Sequence, residues 1–451
     1  MVDLSEEIKN GRRRFENEIF HPISELKGIE DIFPYISILE FIKCEFNGFT
    51  LEEVSNPDME IHFNECLFND AFRFKDIYLN NLLFQDTQKI TSVNISGKFT
   101  KIQFSKNGYR GLIGDIHLDV EIVKELNFRN YHHEKGSFVL TVNNGSPEKK
   151  KEFRTFFTNA QFGELTVIDS TFGYLTDFEN IIIYDSLNFI DCTFEKLSFN
   201  NSKIVGALSF RDCIFNKPAY FQNMISKALT GIIIMDSKFH DSVNFNYSRI
   251  NTFTLKDNVF LQLSYFQEIK LNVIWIHQTI FEKGALFDDI RINNIENCSR
   301  SAIRIIKQEL QRAENRIDFN RFKNYEMATY YNELNWNNHF IDKSILYMTK
   351  ISTDFGNSWI RALNFTLLSG FLFFSLLFIT ENYNNAFDLK NWTQFTSGFF
   401  RFFLVTDFYN PLETERVYLT NPLSWIIFIF GKIVIAFGIY EMIQSFRKFK
   451  A

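Results

Sequence analysis

Between residues 162 and 287 apolar positions recur in four columns about twenty-one residues apart. Phe172, Phe194, Phe215, Phe239, Phe260 and Phe281 are separated by 22, 21, 24, 21 and 21 residues. Phe178, Phe199, Phe221, Phe245, Phe266 and Phe287 follow almost the same steps. Five residues before the first column stand Val167, Phe189, Phe210, Ile234, Leu255 and Ile276. Ten before it stand Phe162, Tyr184, Val205, Leu229, Ile250 and Leu271. One apolar side chain every five or six residues matches neither a helix nor a strand carried through one turn. It matches a chain wound around a square section, with one inward side chain per side. A lone coil cannot bury those residues, and a stack of coils can. The pattern predicts a mainly β fold, a parallel β-helix with phenylalanine ladders inside. The 24-residue step places an insertion between Phe221 and Leu229.

Two smaller columns share the register. Ser170, Cys192, Cys213, Ser237, Asn258 and Thr279 lie two residues before the first phenylalanine column, and Asp169, Asp191, Asp212, Asp236, Asp257 and Gln278 one position earlier. The acidic row has two readings: carboxylates for a metal or basic partner, or a residue that turns the corner of each coil. Upstream, Phe41, Phe63, Phe84 and Phe104 are 22, 21 and 20 apart, with Cys44 and Cys66 two residues before Phe46 and Phe68. Cysteines one period apart are read as small ladder residues, since no second ligand pair accompanies them. Register is poor from Ser105 to Phe153, and Asn143–Pro147 reads as an exposed loop.

The pattern changes after residue 296. Ile303, Ile306, Leu310, Ala313 and Ile317 step by 3, 4, 3 and 4, one face of a helix that Ser299 or Ser301 would cap. That stripe serves either to cover the open end of the β-helix or to join copies of the chain. Ala362–Thr380 is nineteen residues without a charge, and Leu423–Tyr440 is eighteen with Lys432 alone. Each is long enough to span a bilayer. Between them Trp392, Phe395, Phe399 and Phe402 form a short aromatic helical face, re-entrant or interfacial. Lys343, Lys350 and Arg361 precede the first span and Arg447, Lys448 and Lys450 follow the second, which places both termini in the cytoplasm.

Composition agrees. The chain has 451 residues, 55 of them Phe, with 19 Gly and 7 Pro. This excludes a disordered or collagenous chain. Five Cys exclude a disulfide-stapled miniprotein. Arg12–Arg14 precede no apolar stretch, so Met1–Phe20 is not read as a signal peptide. His-Glu-x-x-His, Gly-x-Ser-x-Gly, phosphate-loop and zinc-spaced Cys motifs are absent, so no enzyme, cofactor or metal is expected.

The small-x-Phe unit at five-residue intervals over Ile36–Ile292 resembles the pentapeptide-repeat family, whose fold is a right-handed quadrilateral parallel β-helix. Arg304 with Lys307, Phe322 with Glu326, and Asp354-Phe355-Gly356 before Trp359 and Arg361 resemble the connector of its membrane-bound members. There the tail resembles a two-helix potassium-channel pore. The resemblance implies a cap at 1–30, a β-helix at 31–296 with a loop at about 105–153, and a helical connector at 297–350. It implies a membrane domain at 351–451, with spans 362–380 and 423–440 and a pore-like helix at 392–403. It also implies a bacterial inner membrane and a homo-oligomer, a tetramer by analogy. Nucleic acid is not an expected partner, because the repeat carries only a modest acidic excess.

The filter-like stretch is Thr406, Asp407, Phe408 and Tyr409. No Gly follows Thr406, although potassium filters use Gly to aim successive carbonyls at the ion. Lys432 sits mid-span, where it is a pore-lining residue repelling cations, a partner for lipid phosphate or Asp407, or a snorkelling amine. Two functions are therefore carried forward. One is a cytoplasmic β-helix sensor coupled to an oligomeric pore without a potassium filter. The other is a non-conducting, membrane-anchored scaffold whose β-helix binds a protein partner.

Overall fold

The computed structural model describes residues 4–20, 32–87, 89–105, 112–143, 153–227, 231–381, 392–413 and 415–447. The chain forms two compact units, Met1–Ile305 and Ile306–Ala451. The first is mainly β, a parallel β-solenoid whose strands pair only with the coil before and the coil after.

The expected ladders are its core. Phe172, Phe194, Phe215, Phe239, Phe260 and Phe281 pair in register, with ring centroids 4.2–5.2 Å apart. The second column is longer than its spacing suggests. Phe15, Phe41, Phe63, Phe84, Phe104, Phe128, Phe157, Phe178, Phe199, Phe221, Phe245, Phe266 and Phe287 stack in one file, centroids 4.3–5.6 Å apart and planes within 18°. The coil fixes one ring above the next, so parallel offset stacking replaces the edge-to-face contacts common elsewhere.

Three expectations change. Residues 105–153 are not simply a loop: strands at Asp115–Asn127 and Phe138–Asn143 carry the solenoid through, and Phe128 bridges Phe104 to Phe157. The steps there are 24 and 29 residues, which is why spacing alone lost the register. Asn144–Pro147 lie outside the described residues. The coils also start earlier than residue 31, because Arg14–Glu16 pairs with Glu40–Ile42. The cap is α1 (Leu4–Lys9), which buries Leu4 and Ile8. Finally, the fourth column keeps Phe162, Ile250 and Leu271 but changes its three middle members. Phe162, Ile183, Ile204, Ser226, Ile250 and Leu271 face inward. Tyr184 (44% exposed) and Val205 (37%) face out, and Leu229 lies outside the described residues. Adjacent apolar pairs such as Ile183-Tyr184 hide which member points inward, and one residue of slip reverses the face.

Corners are made by left-handed residues. Asp169, Asp191, Asp212, Asp236, Asp257 and Gln278 have φ between 44° and 54°. The acidic row is thus a bend column, since Asp and Asn tolerate this backbone better than most side chains. The small residues that follow seal each bend. Ser237 Oγ donates to the Met235 carbonyl at 2.7 Å and accepts the Cys213 N–H at 3.1 Å. Cys192 and Cys213 donate in the same way to Ile190 and Arg211 carbonyls. All five cysteines are free and buried. The neighbouring Cys44 sulfur together with burial pushes the Cys66 thiol up, as Cys192 and burial do for Cys213.

One inward position of the fourth column holds a histidine. His133 pairs with Phe162 in the fourth column and is fully buried. Its Nε2–H donates to the Gly114 carbonyl at 2.9 Å, while Nδ1 and the nearby Tyr131 hydroxyl have no hydrogen-bond partner. Burial lowers its pKa, and the Gly114 carbonyl and Asp115 only partly offset this. Above the unfolded value of about 6.5 both states are neutral and stability is flat. As pH falls through that value the unfolded chain takes a proton that the folded coil refuses, so stability drops. We expect His133→Leu to remove this component. Denaturant melts of the full chain should diverge between the two proteins from pH 7.5 to pH 5; a constant difference would refute the assignment.

At the solenoid's last coil, Ile274 N–H reaches Cys298 Sγ at 3.4 Å and Ser301 Oγ donates to the Ile276 carbonyl at 2.8 Å. There α2 (Arg300–Arg312) begins, and Ser299, rather than Ser301, accepts the Ala302 N–H as its cap. The predicted long stripe ends at Leu310. Asn315 caps a new helix, α3 (Arg316–Glu333), which leaves Ala313 in a turn and Ile317 exposed. Among the described residues the second unit continues with α4 (Phe340–Thr353), α5 (Trp359–Glu381), the short α6 (Trp392–Phe402) and α7 (Pro422–Arg447).

Candidate functional site

Helices α5 and α7 are long and apolar enough to cross a membrane. They extend beyond the predicted spans at both ends. They pair antiparallel through small residues: a Cβ at Gly438 would collide with Thr366 Oγ1, and one at Gly431 with the Phe373 and Phe402 side chains. Close backbone approach at glycine is a common means of helix pairing in lipid. Thr353 Oγ1 donates to Glu441 Oε2 at 2.9 Å and accepts the Gly356 N–H at 2.9 Å. The bond ties α7 to the Asp354-Phe355-Gly356 turn, whose three residues are all left-handed. Of the other connector motif residues, Lys307 and Glu326 form an ion pair at 2.5 Å, and Phe322 is fully buried.

Helix α6 enters between the two long helices. Phe395 packs on Phe378 and Phe374, Phe399 on Phe374 and Phe371, and Phe402 on Phe374 and Phe428. A Cβ on Gly370, halfway along α5, would strike the Phe403 ring. The partners step backward along α5 as α6 advances, so α6 descends from the C-terminal end of α5 to its middle. The short helix therefore packs alongside α5 rather than across the ends of its neighbours. The chain then returns to α7, where the Trp425 indole N–H donates to the Leu419 carbonyl at 2.8 Å.

At the inner end of that excursion lies Lys432. Its ammonium donates to the Leu404 carbonyl at 2.5 Å and the Asp407 carbonyl at 2.8 Å. The Phe428 and Phe402 rings lie 4.8 and 5.6 Å from it. Carbonyls just past a helix C-terminus carry partial negative charge, and aromatic faces attract cations. Lys432 is only 5% exposed. Its own chain encloses the amine on the Leu404 and Asp407 carbonyls. The pairing with Asp407 exists, but through the main chain.

The filter-like residues form a compact turn. Asp407 N–H bonds the Leu404 carbonyl at 3.0 Å, and the Asp407 carboxylate accepts the Tyr409 N–H at 3.1 Å. Tyr409 packs tilted against Tyr418, ring centroids 5.1 Å apart, and Thr406 and Phe408 are exposed. The site thus joins Leu404, Asp407 and Lys432 and leaves Thr406 and Phe408 outside. Spacing could not reveal Leu404, because its contribution is a carbonyl. The phenylalanine ladder is a separate, structural feature of the first unit.

A family model described as Pentapeptide repeats (9 copies) matches residues 178–225. No curated protein and no solved structure matches the chain. The matched stretch lies within the solenoid and begins at Phe178 of the second phenylalanine column. The chain carries a pentapeptide-repeat β-helix followed by helices, two of them long and apolar enough to cross a membrane.

Proposed function

We propose that the protein is a membrane-anchored binding module: α5 and α7 span the plasma membrane, and the β-helix is held at the cytoplasmic face to engage a protein partner. Leu368, Phe371, Leu372, Ile426, Phe430 and Ile433 are all more than half exposed on the two helices, and lipid is the solvent that would cover them. Lys and Arg at the outer ends of the spans favour cytoplasmic termini. The observation that carries a non-conducting anchor is the Lys432 ammonium on the Leu404 and Asp407 carbonyls. Backbone carbonyls replace a permeant ion's hydration shell only when free to do so. Here a tethered cation occupies them.

A second reading, a homotetrameric pore, rests on the re-entry of α6, since backbone that turns at membrane depth is tolerated where protein or water surrounds it. Ion flux through liposomes holding the full chain separates the two. We expect no potassium or chloride flux from the wild type, and a monomer on cross-linking. Flux that responds to Lys432→Met would overturn the anchor in favour of the pore.

A further inference from the structure

The solenoid sorts charge in a way the linear sequence does not display. Lys203, Ile225, Arg249, Lys270 and Arg291 are paired one above the next on five successive coils. All five point outward, between inward residues such as Ile250 and Leu271. Lys227 stands two positions beyond Ile225 on the same face. Coils stack about 4.8 Å apart, so Lys270 is held closer to Arg249 and to Arg291 than a Debye length of about 8 Å. No ion pair reaches Lys203, Lys227, Arg249, Lys270 or Arg291 among the described residues. The nearest acids in sequence to the last two, Glu268 and Asp289, stand at left-handed corners two residues earlier. Repulsion between stacked cations costs stability, and an anionic partner would relieve it.

The face is also concave. Ile225, Lys227, Arg249, Asn251, Lys270 and Asn272 line a shallow groove across these coils. The row of cations complements carboxylates repeated along an extended chain. We infer that this groove binds an acidic, extended polypeptide segment, its carboxylates on the Lys203–Arg291 column and an apolar side chain on Ile225. The inference rests on the anchored binding-module reading and names its partner's chemistry.

The test uses the full chain in nanodiscs of phosphatidylcholine and a fluorescein-labelled poly-glutamate peptide, read by anisotropy. Saturable binding that weakens with added salt is expected. Arg249→Glu combined with Lys270→Glu should weaken it at least about tenfold, while Lys238→Glu on another face leaves it unchanged. Both variants alter exposed side chains, and unchanged thermal melts would confirm folding. Absence of peptide binding, or equal affinity in the double variant, overturns the inference. So does binding to phosphatidylserine vesicles without binding to the peptide, which would assign the face to lipid. Failure of the anchor itself is scored separately, by extraction of the protein from the nanodisc at alkaline pH.

Discussion

Phe215→Asp should abolish the cooperative unfolding transition of the β-helix. Phe215 is 1% exposed and lies between Phe194 and Phe239, at 5.2 and 4.2 Å, with Phe210 edge-on at 5.6 Å. Deleting a buried Phe side chain costs about 3–5 kcal/mol. A carboxyl group set among aromatic rings without a donor adds several more. The sum approaches the whole stability of a typical domain, about 5–15 kcal/mol. Position in the stack raises the effect, because coils gain stability chiefly from their neighbours and a ruptured middle coil unpairs both sides. Tyr184→Asp provides the control. Tyr184 shares an apolar column with Phe162 by spacing but faces solvent in the structure, so its replacement should shift stability by no more than about 0.5 kcal/mol. Circular-dichroism melts and limited proteolysis of the full chain would read both. A Phe215→Asp protein that melts with the wild type would refute the register, and so would a disruptive Tyr184→Asp.

Lys432→Met should insert into membranes at least as well as the wild type, yet loosen the segment that follows α6. The two effects have opposite signs. A lysine at the centre of a span costs about 2.5–3.5 kcal/mol on insertion scales, so its removal favours insertion. The same change leaves the Leu404 and Asp407 carbonyls without their donor, at about 1–3 kcal/mol for each acceptor stranded. Local opening of residues 404–412 should therefore become easier. A loss of about 2 kcal/mol corresponds to roughly thirtyfold faster amide exchange there. Hydrogen–deuterium exchange on protein in nanodiscs gives the answer, with α5 peptides as internal reference. Equal protection in the two proteins would show that the amine does not hold the segment.

The phenylalanine spacing was sufficient for the β-helix because a coil of nearly constant length converts sequence period directly into spatial column. Where that constancy failed, so did the reading. Steps of 24 and 29 residues around Phe128 hid the middle coils, and two neighbouring apolar residues at 183 and 184 hid which one was inside. The helical tail was legible in outline, as two apolar runs and an aromatic stripe. Lys432 stood out as a charge that lipid would not accept. Its partners did not, because main-chain carbonyls have no letter in the sequence.

The sequence by itself determined the repeat, its apolar interior and the two long apolar helices, since each depends on side-chain type recurring at a local period. Only the tertiary structure decided three things. It joined Phe104, Phe128 and Phe157 into one column, turned Lys432 inward onto Leu404 and Asp407, and stacked Lys203, Arg249, Lys270 and Arg291 on one face. Each depends on which residues meet after the chain has wound or folded back, and at separations of 21 to 29 residues that meeting is set by coil length and helix packing rather than by any local preference.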